Sequence, residues 1–195
     1  MATNKTLSDF KSALIGGGAR PNIFEVSFGN TPANAGTLDP NFIMLCKAAN
    51  LPGSNIASID VPFRGRIFKV AGDRTYDTWS ITVINDTNFL IRTFMENWMQ
   101  HIGQYKDASG ATTPSTYMAN ATVTQLDRNA STINSTSSGS GVKSAKEYKF
   151  EDIFPTNISA IDLSFDSSDA IEEFTVEFQV NYWYPVGTNG GKSNW

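Results

Sequence analysis

Few side chains in this sequence carry groups that react, ligate metals or recognise phosphate, and their spacing limits the chemistry open to them. There is one cysteine, Cys46, and one histidine, His101. A zinc site drawn from Cys and His needs several such ligands, so that class is excluded. Cys46 cannot form an internal disulfide, and its place in the apolar run from Phe42 to Cys46 points to a buried thiol rather than a nucleophile. His101 falls at the end of a helical pattern, where a cation suits the helix dipole. The sequence has no GxxxxGKS/T loop, no GxGxxG after a strand, no GxSxG elbow and no paired acids at a recognisable catalytic spacing. Nothing here points to an enzyme or to a cofactor.

Two charged sets remain. In the stretch 172–183, EEFTVEFQVNYW, the residues Phe174, Val176, Phe178, Val180 and Tyr182 alternate strictly with Glu173, Thr175, Glu177, Gln179 and Asn181. A period of two makes one face core and the other polar, so the carboxylates must meet water, a lined cavity or a neighbour. Asp162 sits in a similar alternation with Ile161, Leu163 and Phe165. The second set is basic: Arg64, Arg66, Lys69 and Arg74, which are either solvated charge or a subunit contact. The formal charge of -4 argues against holding nucleic acid by its phosphates, which needs clustered Lys and Arg. It does not argue against DNA passing by without sticking.

The elements that must position these residues are mostly strands. With 195 residues and 40% hydrophobic content, the chain fits one domain with a substantial core. Its apolar runs are far shorter than the ~20 residues of a membrane helix, and no basic segment followed by a hydrophobic one opens it. A soluble, unprocessed protein without membrane insertion is therefore expected. Residues 1–18 read as an N-terminal arm with a short helical spacing at Leu7, Phe10, Lys11 and Leu14, broken by three glycines. A first strand covers 22–28, and an apolar segment covers 41–49. Residues 56–63 and 67–70 form a hairpin with Arg64-Gly65-Arg66 between them and Gly65 at its tip, and Gly72-Asp73-Arg74 reads as a further turn. A strand over 78–83 precedes the one clear helix, about 87–102, with Asp86 or Thr87 as N-cap and Gly103 as its end. Strands follow at 117–126, at 148–154 ending before Pro155, at 161–165 and at 172–183. The Ser/Thr/Gly-rich stretch 128–143 reads as a flexible loop, and 187–195 as a tail ending in an exposed Trp195. The expected fold is mainly β, an antiparallel β-sandwich or barrel with one flanking α-helix.

Certain residues add a resemblance to this reading. Phe63-Arg64-Gly65-Arg66, Lys69, Gly72-Asp73-Arg74-Thr75-Tyr76, Trp79, Val83, Asn85-Asp86, Phe89, Arg92 and Trp98, in that order, resemble the signature of the tail tube proteins of contractile-tailed bacteriophages. Ala19-Arg20-Pro21 followed by Phe24 and Val26 resembles the family's first strand, whereas 128–143 matches nothing in it. The resemblance implies a structural virion protein without cofactor, forming hexameric rings with a continuous inner β-barrel. Stacked, such rings make the conduit for DNA ejection inside a contractile sheath. It implies as partners further copies of the chain, the sheath protein, the baseplate and tail terminator proteins, and genomic DNA in transit. Assembly in the host cytoplasm would precede its place in the virion.

On that view Asp162, Glu173, Thr175, Glu177 and Gln179 line the lumen, where acidic and neutral groups repel phosphates. The alternatives are the outer wall and a neighbouring subunit. Arg64, Gly65, Arg66, Lys69 and Arg74 then belong to an inter-subunit or inter-ring contact. The tube protein of a type VI secretion system or a bacteriocin shares these expectations apart from cargo. A carbohydrate-binding sandwich, using Trp183, Tyr184 and Trp195 as stacking platforms, is the rival from another class.

Overall fold

A computed structural model describes residues 6–14, 19–107, 109–126, 144–166 and 169–186. The 128–143 loop, the 187–195 tail and Trp195 lie outside the described residues. The elements are α1 (Leu7–Ala13), β1 (Phe24–Gly29), α2 (Phe42–Leu45), β2 (Cys46–Ala49), β3 (Ser54–Phe63), β4 (Arg66–Tyr76), β5 (Trp79–Ile84), α3 (Leu90–Ile102), β6 (Ala119–Leu126), β7 (Ser144–Ile158), β8 (Glu173–Gln179) and β9 (Tyr182–Val186).

Two antiparallel layers share one long strand. In the first, β1 pairs with β6, β6 with the N-terminal half of β7, and β7 with β9. In the second, the C-terminal half of β7 pairs with β8, β8 with β5, and β5 with β2. The strand changes layer beside Asp152, which takes a left-handed φ of 54°. Such a kink re-aims a strand at the expense of local pairing.

The core lies between the layers. Trp79 of β5 stacks on Phe150 of β7 with centroids 4.8 Å apart, and Phe28 of β1 reaches Phe178 of β8 at 5.5 Å. Helix α3 closes the open side, with Trp98 edge-on to Phe28 and its indole N–H donating to the Tyr117 carbonyl at 2.7 Å. Ile91, Phe94, Met95 and Trp98 are its buried stripe, as the three- and four-residue spacing requires. Asp86 caps it from one turn before: its carboxylate accepts from the Leu90 and Asn88 amides at 3.1 and 3.3 Å. The helix consequently starts at Leu90 rather than near 87, and the residue before it, Phe89, is left-handed with φ 56°.

Four further sequence expectations change. Gly72-Asp73-Arg74 is not a turn but a bulge inside β4, where the register steps from Ser58 opposite Ala71 to Ile56 opposite Arg74. A side chain at Gly72 would stand 3.1 Å from the Ala57 carbonyl oxygen, so the glycine permits the close approach. Strand β7 runs through Pro155, which faces Phe178 at a register shift on the outer strand of its sheet. Bulges and outer strands are where a sheet tolerates proline. Residues 161–165 form no strand, because both hydrogen-bonding sides of β8 are taken by β5 and β7. Finally, 172–183 is two strands in different layers. Phe174, Val176, Phe178 and Val180 are buried, but a bend at Asn181 inverts the parity, so Tyr182 faces out and Trp183 faces in.

Candidate inter-subunit and channel surfaces

The polar parity of β8 does share one outer face with its neighbours. Glu173 opposes Ile84, Thr175 opposes Thr82 and Glu177 opposes Ser80. The Thr82 and Thr175 hydroxyls are 3.3 Å apart, a cross-strand pair of the kind that stabilises sheets. From β2, Lys47 donates to Glu173 at 2.6 Å, and from β7, the Asn157 amide approaches Glu177 at 3.5 Å. The two carboxylates therefore differ. Glu173 is charge-compensated in an exposed ion pair worth at most ~1 kcal/mol, whereas Glu177 has no cationic partner among the described residues. Lys47 and Asn157 escaped the sequence reading because only the strand register brings them to this face. Asp162 does not join it. It lies in the irregular connector between β7 and β8, on the wall of a hollow of about 350 Å³ shared with Leu163, Glu172 and Glu173.

The same layer ends in two incompletely paired strands. Among the described residues, strand β2 is hydrogen-bonded only by β5, and Phe154–Ile158 of β7 only by β8. Open edges of this kind are templates for further strands.

The basic set lies on the β3–β4 ribbon. Arg64 and Gly65 form its two-residue turn, with φ of 46° and 81°, the left-handed pair that matches strand twist. Arg66 opens β4 opposite Phe63, Lys69 bonds Asp60 at 2.9 Å across the strands, and Arg74 faces Ile56. What the charges concealed is the ribbon's apolar side. Ile59, Val61 and Phe63 oppose Val70, Phe68 and Arg66 on one face, and all five apolar side chains are exposed. The alternation of Ile59, Val61 and Phe63 was readable in the sequence; that these side chains stand exposed was not.

Other candidates lose their chemistry. Burial pushes the Cys46 thiol up to about 12, which removes the thiolate at neutral pH. His101 accepts from the Asn34 side-chain amide at 3.2 Å at the end of α3. Trp183 is turned inward between Tyr76 and Tyr148, so it offers no stacking platform. Tyr184 stacks on Tyr182 and donates its hydroxyl to Glu151 at 3.2 Å. Among the described residues no three His, Cys, Asp or Glu side chains gather as a metal site, and no helix is long and apolar enough to cross a membrane.

A sandwich with open edges and a projecting ribbon defines a class of protein already seen in solved structures. The fold resembles a chain in the sheath-tube complex of an extracellular contractile injection system in its extended state, with TM-score 0.60 and 12% identity over 94% of this chain and 99% of that one. It also resembles a chain in the sheath/tube terminator of that system, with TM-score 0.58 and 12% identity over 87% and 97%. Residues 19–185 match the phage tail tube protein family, and the chain belongs to that family. It is 34% identical over 166 residues to tail tube protein gp19 of Enterobacteria phage T4, covering 85% of this chain and 90% of that protein. To the tail tube protein of Serratia phage KSP90 it is 24% identical over 178 residues, covering 89% and 93%.

Proposed function

We propose that this chain is a structural, non-catalytic subunit of the inner tube of a contractile phage tail, and that its copies close into hexameric rings whose stack conducts DNA during ejection. The observation that carries the reading is the second layer, which combines a polar outer face with an unpaired strand at each end. A ring satisfies both edges at once when β2 of one copy adds to the C-terminal half of β7 in the next, because a closed barrel has no edge left to aggregate. The outer face of that layer then becomes the channel wall. Glu177, Thr175 and Gln179 present acid and neutral polar groups to the passing duplex, and Lys47 cancels Glu173. A weakly acidic wall repels phosphates and binds none of them firmly. The ribbon carrying Arg64, Arg66, Lys69 and Arg74 reaches a neighbouring copy, and Asp162 lies at the rim of the wall rather than along it.

In the virion, the sheath meets the outer wall, while baseplate and tail terminator proteins meet the ends of the stack. Assembly takes place in the host cytoplasm. Negative-stain electron microscopy of the purified chain tests the reading: rings or tubes with a central channel are expected, and a monodisperse monomer at high concentration would contradict it.

A further inference from the structure

Resting on the closed-ring reading, we infer that helix α3 holds the free edge of β7 in the form that β2 of the next copy must meet, and that Arg92 is the positioning residue through which it does so. Arg92 lies beside the apolar stripe of α3, and only 21% of its side chain is exposed. Its guanidinium stands 5.4 Å from the centroid of the buried Phe174 ring, its Nε donates to Glu96 at 2.9 Å, and its Nη1 donates to the Ser159 carbonyl at 3.3 Å. The first two contacts fasten the side chain. The third reaches out of the helix to the residue that follows the edge strand.

Ser159 comes directly after Ile158, where β7 ends. Its N–H donates to the Thr175 carbonyl at 2.8 Å, and its hydroxyl accepts from the Thr175 N–H at 2.9 Å. Every polar group of Ser159 is therefore bonded, two to β8 beside the proposed wall and the carbonyl to α3. The strand before it needs such an anchor. Among the described residues Phe154–Ile158 is paired on one side only, its register slips between Pro155 and Asn157, and Pro155 has no N–H to donate. A strand held this loosely opens locally unless its ends are fixed.

The other end of that strand is held from the same helix. The Trp98 indole donates to the Tyr117 carbonyl, and the Tyr117 ring stands edge-on to Phe154 at 5.8 Å. Arg92 and Trp98, roughly 9 Å apart along the helix axis, thus grip the two ends of the strand that the seam uses. Trp98 also fills the core, whereas Arg92 does not, so the two roles separate at Arg92. In the dissociated chain its bond to Ser159 restrains one strand end. At the seam an unrestrained end must first be ordered before β2 can pair with it, and that ordering opposes association. A hydrogen bond from a charged donor shifts an equilibrium about tenfold, and every seam of the ring would lose one.

The test uses the full chain, with ring formation followed by sedimentation across a concentration series and hydrogen exchange read on the dissociated chain. Arg92→Met should raise the concentration for half-assembly about tenfold or more and speed exchange at Asn157, Ile158 and Ser159, while the β1–β6 ladder exchanges as before. Arg92→Lys keeps a donor for the Ser159 carbonyl and should recover most of the assembly. Glu96→Gln removes the ion pair within the helix but leaves the bond to Ser159, so it should assemble like the unsubstituted chain. Val123→Ala trims a buried side chain of the first layer and should lower the unfolding midpoint without moving half-assembly. Half-assembly or exchange unchanged in Arg92→Met, or half-assembly moved as far by Glu96→Gln or Val123→Ala, would overturn the inference. Should Arg92→Met not fold, Ser159→Ala takes its place: it deletes the hydroxyl that the Thr175 N–H reaches, and an unmoved half-assembly concentration would overturn the inference equally. If the unsubstituted chain forms no ring at all, the assembly reading itself fails; rings indifferent to Arg92 remove only this role.

Discussion

Reversing the charge of Glu177 probes the proposed channel wall most selectively. Its carboxylate has only the Asn157 amide at 3.5 Å and no ion pair among the described residues, so Glu177→Lys breaks no strong interaction. The formal charge of each chain rises by two, from -4 to -2. Replacing an anion by a cation about 10 Å from a phosphate changes the interaction by roughly 0.8 kcal/mol in water, and screening over a Debye length of about 10 Å leaves some 0.3 kcal/mol. Repeated around a six-copy ring, this amounts to about 1.8 kcal/mol per ring, enough to slow passage roughly 20-fold where rings act in register. Phage carrying the variant subunit should assemble tails of normal length. They should release DNA more slowly in a dye-accessibility time course, and higher salt should relieve the defect. Release at the wild-type rate from intact tails, or a defect that salt does not relieve, would refute the electrostatic argument. Glu173→Gln offers an internal comparison: it uncovers Lys47 and should slow release in the same direction with a smaller amplitude.

Three further expectations concern the fold that holds the wall. Trp79→Ala removes the fully buried ring stacked on Phe150 and should cost about 3 to 5 kcal/mol in denaturant unfolding, with rings lost at physiological temperature. Asp86→Ala leaves the Leu90 and Asn88 amides without their acceptor and should cost about 1 kcal/mol, read as an earlier denaturation midpoint at unchanged slope. The Cys46 thiol should resist a thiol reagent until the protein unfolds. Because its folded value is raised from 9.0 to about 12, only the unfolded thiol ionises between these limits. Stability should therefore fall as pH climbs through that window, and Cys46→Ala should flatten the fall.

The parts of this molecule that were legible in the sequence are those governed by local periodicity. Phe174, Val176, Phe178 and Val180 on β8 and the stripe from Ile91 to Trp98 on α3 are buried where their spacing puts them. The polar parity of β8 was equally readable, and so was the Arg64-Gly65 turn. What escaped depends on pairing between distant segments. Gly72 and Pro155 carry turn and stop signals, yet a bulge absorbs one and an outer strand the other. Leu163 and Phe165 alternate like strand residues but find both sides of β8 occupied. The partner of Glu173, Lys47, lies 126 positions away and reaches it only through β5. The family signature came through because it is a set of residue types within 63–98, carried by the turn, β5 and the capped helix, whose patterns are local.

In the proposed assembly the outer face of the second layer is the wall of a channel. A cryo-electron microscopy reconstruction of tubes assembled from this chain tests it most directly. Thr175, Glu177 and Gln179 should face the lumen, with β2 of each copy hydrogen-bonded to Phe154–Ile158 of the next. Glu177 placed on the outer wall, or β2 left unpaired in a closed ring, would contradict it.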